Sequence, residues 1–235
     1  MGFHYFPLAL PFLLSLAGLY VLVLVLLGMR VLSYAYVNMG LRPTSVLLIY
    51  LLSLLGSYVN IPLFQLPGER VLQGQVVVYA GMQYVVPVVR NWPGTLVAVN
   101  VGGAVIPILL SLYLIVYHNV YGKALIATAI VAAVCHLLAH PVPGVGIAIP
   151  TFIPPIAAAV TAMLLSRAQA GPLAYIGGSL GTLIGADLLN LGKIEGLGAP
   201  VASIGGAGTF DGIFVTGLLA VVIASLVSPR APARG

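Results

Sequence analysis

The 235-residue chain is 61% apolar and only 6% charged, with a mean hydropathy of +1.15; soluble domains are about half apolar and a quarter charged, so a soluble protein is excluded in favour of an integral membrane protein. A single cysteine, Cys135, excludes an internal disulfide framework, and no Cys/His cluster has structural-zinc spacing, so the bilayer is expected to restrain the fold without metal or cofactor. The net charge of +5 rests on nine basic residues, scattered singly along the loops instead of forming a patch, which argues against nucleic acid.

Spanning helices need roughly 20 apolar residues, and seven segments meet or approach that: 6–28, 45–66, 95–117, 123–140, 149–166, 173–191 and 211–228. The first starts almost at Met1 without a basic leader region and is too long, with no small-residue cleavage site, for a removed signal peptide. It is expected to be a retained span. Segment 45–66 carries Asn60-Ile61-Pro62 and segment 95–117 carries Asn100 followed by Gly102-Gly103 and Pro107. Both are therefore expected to be helices broken by an amide and a helix breaker, which is how transporters expose carbonyls to a solute; the alternative is packing and hydrogen bonding between helices. Between them, 69–92 is too polar to cross. Its β-formers Val71, Leu72, Val76–Val78, Tyr79, Tyr84–Val86, Val88 and Val89 flank Ala80-Gly81, predicting a small surface hairpin within about 67–93.

Segments four, five and seven are short, and Pro154-Pro155 predicts a kink in the fifth or a helix that starts in earnest only after Pro155. His136 and His140 share a helical face at the end of the fourth and are weak candidates for a metal site; interfacial or hydrogen-bonded histidines are the plainer reading. In the sixth, Gly177, Gly181 and Gly185 recur every four residues, the spacing that lets a neighbouring helix approach closely. The expected fold class is thus all-α, with a single transmembrane domain over 1–228 and a short basic tail over 229–235.

Cytoplasmic loops carry the excess of Lys and Arg. One side collects Arg30, Arg42, Lys123, Arg167, Arg230 and Arg234 without acid, and the other has Arg70, Arg90 and Lys193 with Glu69 and Glu195. The expected topology is a multi-pass cell-membrane protein with its N-terminus outside and its tail in the cytoplasm. The hairpin, the 141–146 connection and the 192–208 connection then fall on the outer half, where irregular backbone predicts a watery cavity.

Of only four acidic residues, Asp187 and Asp211 sit in or at the edge of the last two apolar segments. A carboxylate inside a span is costly and is by default a functional-site hypothesis. If the two share a site they cannot both ionise easily, and the pair can act as general base and general acid on an attacking water. Read individually, Asp211 also suits the N-cap of the last helix, and Asp187 could bond neighbouring backbone or Asn190, three positions on. Asn190, Gly206, Gly208, Asn100 and Asn60 are the candidate substrate-binding residues.

The sequences Gly-Ala-Asp-Leu-Leu-Asn-Leu at 185–191 and Ile-Gly-Gly-Ala-Gly-Thr-Phe-Asp-Gly-Ile-Phe at 204–214 resemble the signature of an uncharacterised, largely archaeal family of multi-spanning membrane proteins, classed as a domain of unknown function. A second resemblance is to presenilins and signal-peptide peptidases, intramembrane aspartyl proteases. Their catalytic aspartates lie on the sixth and seventh spans, the second in a Gly-x-Gly-Asp motif. Asp187 and Asp211 fall on the corresponding segments, with Gly206-Ala207-Gly208 before the second; Thr209-Phe210 intervenes, Ala186 stands in place of a tyrosine, and the later Pro-Ala-Leu motif is absent. This similarity implies a di-aspartyl peptidase acting on a membrane-spanning peptide. The rival expectations are an ion- or proton-coupled transporter using the same aspartates, framed by Asn60 and Asn100, and a non-catalytic scaffold.

Overall fold

The computed structural model describes residues 10–79, 82–142, 146–194, 199–206 and 212–227. It is mostly helical. In chain order the elements are α1 (Leu10–Asn38), α2 (Pro43–Gly56), β1 (Asn60–Gln65), β2 (Glu69–Tyr79), β3 (Met82–Trp92), β4 (Leu96–Asn100), α3 (Ile106–His118), α4 (Tyr121–Leu138), β5 (His140–Val142), β6 (Gly146–Ala148), α5 (Ile153–Leu165), α6 (Ala170–Thr182), β7 (Val201–Ile204) and α7 (Gly212–Val227). A π-helical turn, Val101–Val105, leads into α3, and α6 continues through another, Leu183–Asp187, into a 3-10 stretch, Leu188–Lys193.

Four of these helical runs are long and apolar enough to cross a membrane: Ala17–Asn38, Val101–His118, Tyr121–Leu138 and Arg167–Lys193. Their outward side chains are apolar, with Leu125 72% and Leu137 78% exposed, as suits contact with lipid and not water. This is consistent with a membrane protein. Three further helices, α2, α5 and α7, have 14, 13 and 16 residues, shorter than a perpendicular crossing needs.

The expected span 45–66 divides. Helix α2 stops at Gly56, Ser57 Oγ donates to Leu54 O at 2.7 Å, and the chain continues as strand β1. Likewise 95–117 starts as strand β4 and turns helical only at Val101. Asn60 and Asn100 are therefore not breaks within helices but opposed residues on paired strands. Helix α5 begins at Ile153 with both prolines in its first turn, where a missing N–H leaves no bond unmade, so the helix needs no kink there. The 67–93 hairpin is present: β2 and β3 pair antiparallel from Glu69↔Trp92 to Tyr79↔Met82, with Ala80 and Gly81 outside the described residues.

Helix α6 is the axis of the bundle, with residues 170–179 buried without interruption and helices α3, α4, α5 and α7 packed around it. The glycine stripe makes this possible. A Cβ at Gly181 would meet Val131 Cβ at 2.6 Å, and one at Gly185 would collide with the Ala132 carbonyl oxygen. Substituting Gly185 with valine is expected to destabilise the protein by about 1–3 kcal/mol or more, as overpacking against unyielding backbone does, whereas Gly122→Ala, with nothing within 4 Å, should be nearly neutral. Unfolding midpoints in detergent would separate the two, and equal midpoints would refute the close approach of α4 to α6.

The strands gather at one pole. Strand β4 pairs antiparallel with β1 and parallel with β7, in the order β1-β4-β7, which brings the ends of α2 and α6 beside the starts of α3 and α7. The β5-β6 hairpin touches the π turn of α6 at the same pole. At the opposite pole the short turns interlock: His118 Nε2 lies 2.8 Å from Met39 O, and Gln169 Nε2 donates to His118 O at 3.2 Å. Arg42, Lys123 and Arg167 belong to that second pole by their positions at helix ends.

Candidate site at the strand pole

Asp187 closes the π turn that ends the long run of α6. Such one-turn irregularities are frequent at functional sites. Its half-buried carboxylate neither bonds the local backbone nor reaches Asn190; Oδ2 accepts the N–H of Gly205 at 2.8 Å, from 18 residues away. Gly205 follows β7 directly and, with Gly206, has φ of +89°, a backbone conformation that glycine adopts without steric cost. A Cβ there would also meet Ala104 N at 2.6 Å. The turn after β7 is thus wedged between the carboxylate of α6 and the π turn that opens α3.

A network of uncharged groups joins the three strands on the other side of Gly205. Asn100, fully buried, donates through Nδ2 to Ser57 O (2.7 Å) and to Asn60 Oδ1 (3.1 Å), and accepts the N–H of Gly103 (2.8 Å) on its own Oδ1. The last bond makes it the N-cap of the helical run into α3. Ser203 Oγ lies 2.7 Å from Asn60 Oδ1 and 2.6 Å from Gly206 O. Nearby, Ser53 Oγ donates to Gly102 O at 2.7 Å, and a Cβ on Gly102 would strike the Ser53 carbonyl and the Ser57 nitrogen. The end of α2 and the start of α3 therefore meet backbone to backbone, and Tyr50, Ser53, Ser57, Gly102, Gly103 and Phe214 line a small recess beside them.

The sequence-derived candidates distribute unevenly over this site. Asn60, Asn100 and Gly206 come together in it. Asn190 is fully buried but spends Nδ2 on Gly185 O (2.8 Å) and Ala186 O (3.0 Å), capping the end of α6, while its Oδ1 has no hydrogen-bond partner among the described residues. Asp211 and Gly208 lie outside the described residues. His136 is partly buried on α4 and His140 is exposed on β5; among the described residues His136 Nδ1 has no hydrogen-bond partner and no three His, Cys, Asp or Glu side chains gather. Ser203, Gly205 and the Ser57 carbonyl enter the site without having been singled out individually. For Gly205 a signal lay in the sequence, since Gly-Gly-Ala occurs both at 102–104 and at 205–207. In the structure these two copies follow the parallel neighbours β4 and β7.

No curated protein and no solved structure matches the chain. A family model described as a protein of unknown function, DUF1614, matches residues 54–223, from the end of α2 into α7, and so takes in the whole strand pole. The chain belongs to the DUF1614 family.

Proposed function

We propose that the protein is a membrane-embedded hydrolase of the aspartyl type, in which Asp187 and Asp211 act as a pair on a peptide bond of a membrane-spanning substrate. The observation that carries this reading is the Asp187–Gly205 hydrogen bond. It fastens the carboxylate of α6 to the stretch that, six residues further along, carries Asp211 and then opens α7. One carboxylate takes a proton from water as its oxygen attacks the peptide carbonyl, the other protonates the carbonyl oxygen, and collapse of the tetrahedral intermediate passes a proton to the leaving amine. Asn60, Gly206 and Gly208 form the polar surroundings of the substrate, while the fully buried Asn100 and Asn190 hold the turns beside them. Strand β7 is an edge of its sheet among the described residues. An extended substrate segment pairing there has the unwound geometry that cleavage needs, because helical peptide bonds are shielded.

The basic residues at the helix-turn pole support a topology with that pole in the cytoplasm, the N-terminus and the strand pole outside and the 229–235 tail inside. The test is reconstitution in proteoliposomes with a panel of membrane-spanning peptides, comparing the intact protein with Asp187→Asn and Asp211→Asn. Cleavage that survives either change rejects the mechanism, as does a carboxyl separation above about a dozen ångströms, at which no proton can be shared. Ion- or proton-coupled transport is the second reading, favoured by the Asn60–Asn100–Ser203 junction on strands β1, β4 and β7, which lies beside the π turn that interrupts the long run of α6. Ion flux in the same vesicles, without cleavage, would establish it instead.

A further inference from the structure

The β2-β3 hairpin stands apart from the bundle. Its two 11-residue strands form a sheet of their own and, among the described elements, pack chiefly on each other. A two-stranded ribbon by itself is marginal in water; a third strand or a covering element is what stabilises it. Neither outer edge of the hairpin has a strand beside it among the described residues, and an open edge is a template for a further strand. The two edges differ. Pro87 is the middle residue of β3 and pairs with Gly74, the middle residue of β2. Proline has no N–H, and a strand accommodates it where the backbone nitrogen faces away from the partner strand. Positions 83, 85, 87, 89 and 91 therefore direct their backbone groups to the outer edge of β3, which Pro87 interrupts at its centre. Through the register, Arg70, Leu72, Gly74, Val76 and Val78 do the same on the outer edge of β2, and none of them is proline.

The sequence of β2 supplies an independent observation. Residues 71–77 read Val-Leu-Gln-Gly-Gln-Val-Val, so polarity is symmetric about Gly74. That symmetry has no use within the hairpin, where β2 faces β3. Two antiparallel copies of β2 related by a two-fold axis through Gly74 set Gln73 opposite the partner's Gln75, Leu72 opposite the partner's Val76 and Val71 opposite the partner's Val77. Glu69 and Arg70 fall opposite the partner's Tyr79 and the partner's Val78, so no like charges oppose one another. A slip of two residues instead sets Leu72 against the partner's Gly74 and Val71 against the partner's Gln75. Matched cross-strand pairs stabilise a ladder and fix its register.

We infer that the protein forms a homodimer in which β2 pairs antiparallel with β2 of a second copy, giving a four-stranded sheet in the order β3-β2-β2-β3. The edge left outside at both ends is the one that Pro87 blocks, so assembly closes at two copies instead of running on as a filament. The pairing needs neither Asp187 nor hydrolysis, so it stands independently of the catalytic reading.

The experiment is oxidative cross-linking of the full-length protein in proteoliposomes, read on non-reducing gels. The parent, whose only cysteine is the buried Cys135, gives the background. Gly74→Cys is expected to yield a disulfide-linked dimer, because the two-fold axis brings the paired Cα atoms to about 5.5 Å, within the reach of a disulfide. Val78→Cys, on the same edge, should stay at background, since its counterpart lies about 27 Å away along the ladder. A Gly74→Cys that stays at background, or a Val78→Cys that links as readily, overturns the proposal. Charge exchange tests the register through the dimer Kd, measured by sedimentation in detergent. Leu72→Lys with Val76→Lys opposes like charges twice across the axis, and Leu72→Lys with Val76→Glu opposes unlike ones. The first combination should have a Kd about tenfold or more above the second; equal values, or a parent that sediments as a monomer throughout, refute the pairing. Both combinations change the same two positions, so any cost to the hairpin itself is shared. Val76→Pro copies onto β2 the block that Pro87 sets on β3 and should leave a folded monomer. A dimer that persists in Val76→Pro is held by another surface and sinks the inference.

Discussion

Asp187→Asn and Asp211→Asn are each expected to lower peptide cleavage by about a thousandfold, within the range of about 10²–10⁴ that a positioned acid or base contributes. At position 187 the substitution is close to isosteric. The asparagine Oδ1 still accepts the Gly205 N–H, so the turn after β7 stays seated, but the side chain can no longer take up or release a proton at neutral pH. Asp187→Ala differs in kind, because it removes the acceptor as well and leaves the Gly205 N–H unpaired, at a cost of about 1–3 kcal/mol. The comparison separates chemistry from architecture. If asparagine abolishes turnover while the melting temperature holds, and alanine lowers both, the carboxylate serves the reaction and the fold by distinct properties. If asparagine lowers melting as far as alanine does, Asp187 is a structural clasp and the hydrolase reading falls.

Much of the bundle was legible because membrane helices advertise themselves by apolar length. Helix α4 and the long run through α6 fall almost where hydropathy places them, and the stripe of Gly177, Gly181 and Gly185 faces α4 as its spacing predicts. The hairpin was legible for another reason, since two β-branched runs about Ala80-Gly81 have little else to pair with than each other. What failed was the reading of 45–66 as one span. Ile61, Leu63 and Phe64 are as apolar as any helix position, and a short apolar run does not by itself distinguish helix from strand. The deciding fact is a partner: β1 exists because β4, some 35 residues later, supplies its hydrogen bonds, and β7, a hundred residues later again, completes the sheet. Such pairings leave no local periodicity. For the same reason Ser203, an ordinary hydroxyl in an irregular connection, could not be placed beside Asn60 until the strands were aligned. The membership in an uncharacterised family was readable from the two motifs around Asp187 and Asp211, yet the motifs say nothing of the Asn100 network that backs the turn at Gly205.

That dependence gives the second large effect. Asn100→Ala is expected to destabilise the protein by about 2–6 kcal/mol, because two buried backbone groups, the Ser57 carbonyl and the Gly103 N–H, each lose their partner at about 1–3 kcal/mol. Asn60→Ala should cost less than about 1 kcal/mol, since Asn60 is exposed and water replaces its bonds. Asn100→Asp tests the amide orientation directly. A carboxylate keeps the acceptor for Gly103 but sets an oxygen against the Ser57 carbonyl, so it should be nearly as damaging as alanine despite its similar shape. Unfolding titrations in detergent would read all three, and an Asn100→Ala no worse than Asn60→Ala would show that the junction does not hold α2 to α3. The effect should also reach the carboxylate. Asn100 fixes the turn through Gly103, Gly205 rests on Gly103 and Ala104, and Asp187 is held by Gly205; loosening the first contact removes the surface that seats the last. Under conditions where Asn100→Ala remains folded, its cleavage should fall although the buried Asn100 does not touch the substrate, whereas Gly122→Ala should leave cleavage unchanged.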